Sequence, residues 1–297
     1  MKIYKSKKAE ERILSTYDAL IREWNVPVTQ TDVDTRYGTT HINICGKHDG
    51  PPLVLFHGVG DDSALMWIYN AAKLSEEFRV YAIDTIGGPG KSRPNENYNR
   101  SFDDAIWIDD ILNSLGLEKV NIAGVSYGGH LTQYYCYMRP DKVIRAICMA
   151  ASIEVGKSTN PLIAMIRILF PEALYPSDKN VRKLIRKLCG DNFEVFTDNQ
   201  LLVEHFTYLL KGFNNMAMGR HKVGSFTEEQ LDIIRDKCLF LVGEADPFMK
   251  LGRAKELLNS YKMRAKFFRK VGHAINHEIA DEINSILIDY FKERIIM

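Results

Sequence analysis

The sequence lacks most of the features that would take it outside ordinary globular chemistry. It has only five cysteines, Cys45, Cys136, Cys148, Cys189 and Cys238. The count is odd and no pair stands at C-x-x-C spacing, which argues against a disulfide framework or a thiolate zinc site and for buried free thiols in a reducing compartment. It has no excess of either charge: 39 Lys and Arg face 38 Asp and Glu, a formal net charge of +1. Nothing overall pulls it toward nucleic acid or an anionic membrane. No window approaches the ~18 apolar residues of a membrane span, and the charged stretch Met1–Arg12 is not followed by an apolar signal region. The expectation is a cytoplasmic chain with no membrane span and no nucleic-acid partner. Asn99-Arg100-Ser101 matches a glycosylation acceptor, and without a secretory signal it is read as chance. Internal repeats and low-complexity tracts are missing too. What remains is a chain of 297 residues, 45% hydrophobic and 26% charged, long enough for two domains or for one large α/β domain with an insertion.

The pattern along the chain alternates. Residues 7–24 read as an amphipathic helix with Ile13, Leu14, Tyr17, Leu20, Ile21 and Trp24 on one face, packed on the core. Val28–Thr35 and Thr39–Cys45 flank Arg36-Tyr37-Gly38, a hairpin signal. Short runs follow that are apolar on both faces: Leu53–Phe56, Phe78–Asp84, Val120–Gly124, Val143–Ala150, Cys238–Val242 and Ala265–Phe268. Between them lie the helical patterns Phe102–Leu115, His130–Met138, Leu251–Ser260 and Asn276–Phe291. Runs of that kind suit a parallel sheet, and the alternation implies right-handed crossovers with helices on both faces. From about Glu154 to Gly224 the strands lapse. Pro161–Phe170, Val181–Leu188 and Leu201–Leu210 read there as helices of an insertion.

One strand runs into a motif with chemistry. Val120–Gly124 leads into Gly-Val-Ser-Tyr-Gly-Gly, residues 124–129, and then a helix, the context that G-x-S-x-G requires. The small residues around Ser126 leave room for a tight strand-to-helix turn, and the helix N-terminus favours developing negative charge. The G-x-G-x-x-G fingerprint of a dinucleotide site is absent. Gly87-Gly88-Pro89-Gly90-Lys91-Ser92 contains G-K-S, but a phosphate loop needs glycine where Thr85 stands, and Arg93-Pro94 opposes an immediate helix.

At these residues the chain resembles the serine α/β-hydrolases, close to the bacterial carboxylesterase group, over nearly its whole length. The match is weakest in the insertion and the N-terminal helix. The resemblance implies the α/β-hydrolase fold: a mostly parallel central sheet with helices on both faces and a helical cap. The expected division is core at 1–153, cap at 154–225 and core again at 226–297. It also implies the chain order serine, acid, histidine. His273, in Val271-Gly272-His273-Ala274, stands where the family places its histidine, with His277 as competitor. Asp246, in the loop after Val242, resembles the family's acid, with Glu244 as local rival. His57-Gly58-Val59-Gly60 resembles the family's turn after its third strand. The backbone N–H groups of Val59 and Tyr127 would then form the oxyanion hole, and His57 would be structural.

The function implied is cleavage of a small-molecule carboxylic ester by Ser126, His273 and Asp246 through an acyl-enzyme, with neither metal nor organic cofactor. Thioester, lactone or C–C bond hydrolysis and perhydrolysis on the same triad are the alternatives, as is a non-catalytic ligand-binding protein on the same scaffold. Members of the fold that open epoxides or remove halide use Asp where Ser126 stands. Within 154–225, Leu162, Ile163, Met165, Ile166, Leu169 and Phe170, and then Phe206, Leu209, Leu210, Phe213, Met216 and Met218, are apolar enough to supply a substrate pocket as well as packing. This stretch carries ten basic against seven acidic residues. Arg182, Lys183, Arg186 and Lys187 form a basic helix face that is either solvated or attractive to anionic substrates.

Overall fold

The computed structural model describes residues 2–156, 167–222 and 224–293. A nine-stranded sheet runs through it. The strands are β1 (Thr29–Thr35), β2 (Gly38–Gly46), β3 (Pro52–Phe56), β4 (Arg79–Ile83), β5 (Arg93–Pro94), β6 (Val120–Val125), β7 (Val143–Met149), β8 (Cys238–Gly243) and β9 (Arg264–Phe268). Their order is β1-β2-β4-β3-β6-β7-β8-β9, with the short β5 beside β2. From β4 to β9 every pairing is parallel, while β1, β2 and β5 join antiparallel at one edge.

Burial follows from the side chains. Every residue of β6 and β8 is buried, as expected of strands covered on both faces. The edge strand β1, Thr-Gln-Thr-Asp-Val-Asp-Thr, has no buried residue, and its carboxylates discourage another chain from pairing there. Helix Tyr127–Met138 packs on β3, β6 and β7, and helix Asp104–Ser114 packs beside it and on β1. Asp103 caps the latter by accepting from the Ala105 and Ile106 amides at 2.9 and 3.0 Å. Helix Ala71–Ser75 lies against β2 and β4, and helix Ala280–Phe291 lies against it and β7. The five cysteines are free and buried.

Two expectations change in detail, and a third lies mostly outside the described residues. The N-terminal helix ends at Arg22, and its apolar face is shared: it packs on helix Ser63–Met66 and still more on helix Gln200–Gly212, between β7 and β8. The segment before it is stitched to the same place, with Lys5 N–H donating to Gly212 O and Asn214 N–H to Ile3 O, both at 2.8 Å. The expected helix Asn276–Phe291 is two, Ile275–Glu278 and Ala280–Phe291, broken at Ile279 with φ −133° and ψ 47°. Most of the expected helix Pro161–Phe170, with Leu162, Ile163, Met165 and Ile166, lies outside the described residues. Helices Asp178–Leu188 and Gln200–Gly212 correspond to the other two. Among the described residues no helix is long and apolar enough to cross a membrane.

Candidate active site

Ser126 sits between β6 and helix Tyr127–Met138 with φ 57° and ψ −119°. A side chain at positive φ is strained by roughly 1–3 kcal/mol and survives only where its surroundings enforce it. The enforcement is visible. A Cβ on Gly124 would collide with the Gly128 carbonyl, and one on Gly128 with the Phe56 carbonyl. Only glycine lets the turn close on itself and on the end of β3. Ser126 is half-buried, and its hydroxyl does not cap the helix behind it. The first-turn amides, Tyr127 onward, have no acceptor within the helix, the condition in which a helix N-terminus favours negative charge.

The loop after β3 comes alongside. A Cβ on Gly58 would lie 3.4 Å from Ser126 Cβ. His57 is buried, with Nε2 accepting from the Thr85 amide and Nδ1 facing Gly58 O, each at 2.8 Å. That fixes the proton on Nδ1, and burial holds the ring below its ordinary pKa. His57 is thus a neutral brace of the turn, as expected of it. Val59 beyond it is 39% exposed.

Asp246 and His273 are brought together, with His273 Nδ1 2.7 Å from Asp246 Oδ2. Asp246 is buried, and its other oxygen accepts from the Phe248 amide at 2.8 Å. The ring of Phe248 rests 4.7 Å from the imidazole, centroid to centroid. With Nδ1–H given to the carboxylate, Nε2 is left as the acceptor. The rivals are spoken for. Glu244 binds Lys255 Nζ at 2.6 Å. His277 is fully enclosed with Nε2–H on Leu65 O at 3.0 Å, and burial lowers its pKa to about 4. The G-K-S loop holds no phosphate cradle: Asp84 accepts from the Lys91 amide, and a Cβ on Gly90 would strike the Asp84 carboxylate.

The stretch between β7 and β8 reaches this site. A Cβ on Gly60 would meet Asn215 Oδ1 at 3.3 Å. His221 places Nδ1 2.6 Å from Asp104 Oδ1 and Nε2 2.7 Å from Ile86 O, and the Tyr127 hydroxyl donates to the same Asp104 oxygen at 3.2 Å. His205 lies between Asp62 Oδ2 and Thr16 Oγ1, both at 2.7 Å. Sequence reasoning missed Asp104, His205 and His221, because each meets its partner far away in the chain. The basic face of helix Asp178–Leu188 is engaged at home. Lys183 and Lys187 pair with Glu172 at 2.7 and 2.5 Å, Arg182 pairs with Asp178, and Arg186 covers the Phe193 ring. Of the apolar residues expected in this stretch, Leu209, Phe213 and Met218 are buried, while Met216 is 77% exposed.

A strained serine at the C-terminal end of a parallel strand, with a histidine–carboxylate pair and a glycine turn at the same sheet edge, defines an α/β hydrolase. The chain belongs to that family, the alpha/beta hydrolase fold, whose profile matches residues 51–278. It resembles the bacterial carboxylesterases in particular. Carboxylesterase YbfK of Bacillus subtilis is 27% identical over 94% of this chain and 93% of its own. The crystal structure of naproxen esterase (carboxylesterase NP) from Bacillus subtilis superposes with a TM-score of 0.82 at 25% identity, covering 97% of this chain and 99% of that one. The crystal structure of carboxylesterase CesB (YbfK) from Bacillus subtilis gives 0.80 at 26% identity, covering 96% and 98%.

Proposed function

We propose that the chain is a serine carboxylesterase whose nucleophile is Ser126, whose general base is His273 and whose orienting acid is Asp246. The observation that carries this reading is the strained backbone of Ser126, φ 57°, at a turn that only the flanking glycines permit. Strain of that kind is retained where it presents a side chain to a reacting centre. The Asp246–His273 pair supports it. His273 Nε2 takes the Ser126 proton as Oγ attacks the ester carbonyl. The oxyanion is stabilised by the amides of Val59 and Tyr127 at the helix N-terminus. His273 then protonates the departing alkoxide, and water repeats the sequence on the acyl-enzyme. Asp246 keeps the imidazole in one tautomer and stabilises its cation. The described residues between β7 and β8 are read as a cap over this site, and Asn215 beside Gly60 brings that stretch to the edge of the oxyanion turn.

Ser126→Ala is expected to lower turnover of a short-chain p-nitrophenyl ester by about 10⁴-fold or more and to abolish labelling by a fluorophosphonate probe, with the circular dichroism spectrum unchanged. His273→Ala should match it, while His277→Ala retains labelling. Substantial turnover by Ser126→Ala removes the nucleophile assignment. A panel of ester, thioester and lactone substrates then ranks the acyl chemistry.

A further inference from the structure

We propose that Glu278 is a positioning residue which, as a carboxylate, locks the His273 loop to the stretch between β7 and β8. The proposal rests on the reading of His273 as the general base.

Two segments interlock beside His273. The His273 amide donates to Leu188 O at 2.6 Å and the Asp191 amide to Lys270 O at 2.8 Å. The fit is close enough that a Cβ on Gly190 would collide with the Lys270 carbonyl, and one on Gly272 with the Leu188 carbonyl. Glu278 closes both sides at once. Its Oε1 accepts from the Gly272 amide at 2.8 Å and its Oε2 from the Gly190 amide at 2.7 Å. One oxygen therefore holds the residue next to His273, and the other holds the end of helix Asp178–Leu188. The side chain can reach back because the helix breaks at Ile279, directly after it.

An ionised carboxylate accepts strongly at both oxygens; protonation sets a hydroxyl, a much weaker acceptor, opposite one of the amides and weakens that bond. The groups facing Glu278 are these two amides, the Asp246–His273 pair and the buried Cys189 thiol. The exposed Lys270–Asp191 ion pair bridges the same two segments outside. Burial pushes the Glu278 carboxyl up to about 7; the two amides offset this only in part, and the Asp246 charge adds to it. The lock thus opens as pH falls through neutrality, and the backbone that carries His273 loosens when it does. A misplacement of about 1 Å at a base can cost 10²-fold in rate.

The experiment is the pH profile of kcat/KM on a short-chain p-nitrophenyl ester for wild type and Glu278→Gln, with fluorophosphonate labelling and a thermal melt alongside. The wild-type acid limb is expected to carry two protonations, approaching a slope of about 2 on the logarithmic plot. Glu278→Gln should show a limb of slope about 1, with kcat about 10- to 100-fold down and KM within about threefold. A wild-type limb with a single protonation overturns the proposal, whether or not the variant folds. So does a folded variant with wild-type kcat and an unaltered limb. If His273→Ala is inactive while Glu278→Gln behaves as wild type, only the lock is wrong; an active His273→Ala sinks the base assignment and the lock with it.

Discussion

Asp246 and Glu244 stand two positions apart and differ wholly in what they touch. Asp246 is buried and spends one oxygen on the Phe248 amide and the other on His273 Nδ1; Glu244 reaches outward to Lys255. Asp246→Asn keeps the shape but can present an N–H to His273 and so favour the wrong tautomer. It is expected to lower kcat by about 10³- to 10⁴-fold, whereas Glu244→Gln should stay within about threefold, because it removes one partly exposed ion pair. Steady-state kinetics on the two purified variants checks both. The residues of the proposed chemistry were legible because their backbone requirements leave a mark: glycines around Ser126, Gly58 after His57, Gly272 before His273. Glu278 had a mark too, a carboxylate five positions past His273, but nothing in the sequence says which amides it would meet. His57 and His277 could be ranked by position alone, and their hydrogen-bonding partners at Thr85 and Leu65 give that ranking its physical basis.

Among the elements, helix Gln200–Gly212 makes the most consequential contacts. It carries His205, whose ring nitrogens meet Asp62 from the loop after β3 and Thr16 from the N-terminal helix. The Thr16 hydroxyl also lies within hydrogen-bond reach of the Arg12 and Ile13 carbonyls, at 3.0 and 3.1 Å. Burial alone would raise the Asp62 carboxyl, and the charge and hydrogen bond of His205 more than reverse this. A carboxylate held below its ordinary pKa stabilises the fold above that ordinary value and gives the stability back as acid protonates it. His205→Ala leaves Asp62 without its counter-charge, at a cost of about 3–5 kcal/mol, to be read as a lower midpoint in urea. Strands and core helices were legible because their period matches their burial, as in β6 and β8. The junctions between the N-terminal helix, the insertion and the loop after β3 were not, because amphipathic periodicity shows that a face is covered and never by what.

Taken whole, the molecule is held shut by its own beginning. Ile13, Tyr17, Leu20, Ile21 and Trp24 are buried, and at roughly 1.5–3 kcal/mol each their burial rivals the entire net stability of about 5–15 kcal/mol typical of a folded protein. A chain lacking residues 2–24 is expected to lose its cooperative thermal transition and to bind a dye that reports exposed apolar surface, with the full chain melting in one step. Ion pairs also join the N-terminal helix to the stretch after β4, Lys91 meeting Asp18 and Arg93 meeting Glu10. The stitch between Ile3–Lys5 and Gly212–Asn214 also has a consequence in time. Helix Lys7–Arg22 docks on one made roughly 190 residues later, an interval of about 10–40 s at ordinary synthesis rates. Through that interval only the share of its apolar side that meets helix Ser63–Met66 can be covered, so the larger share is among the last surfaces of the chain to be sheltered.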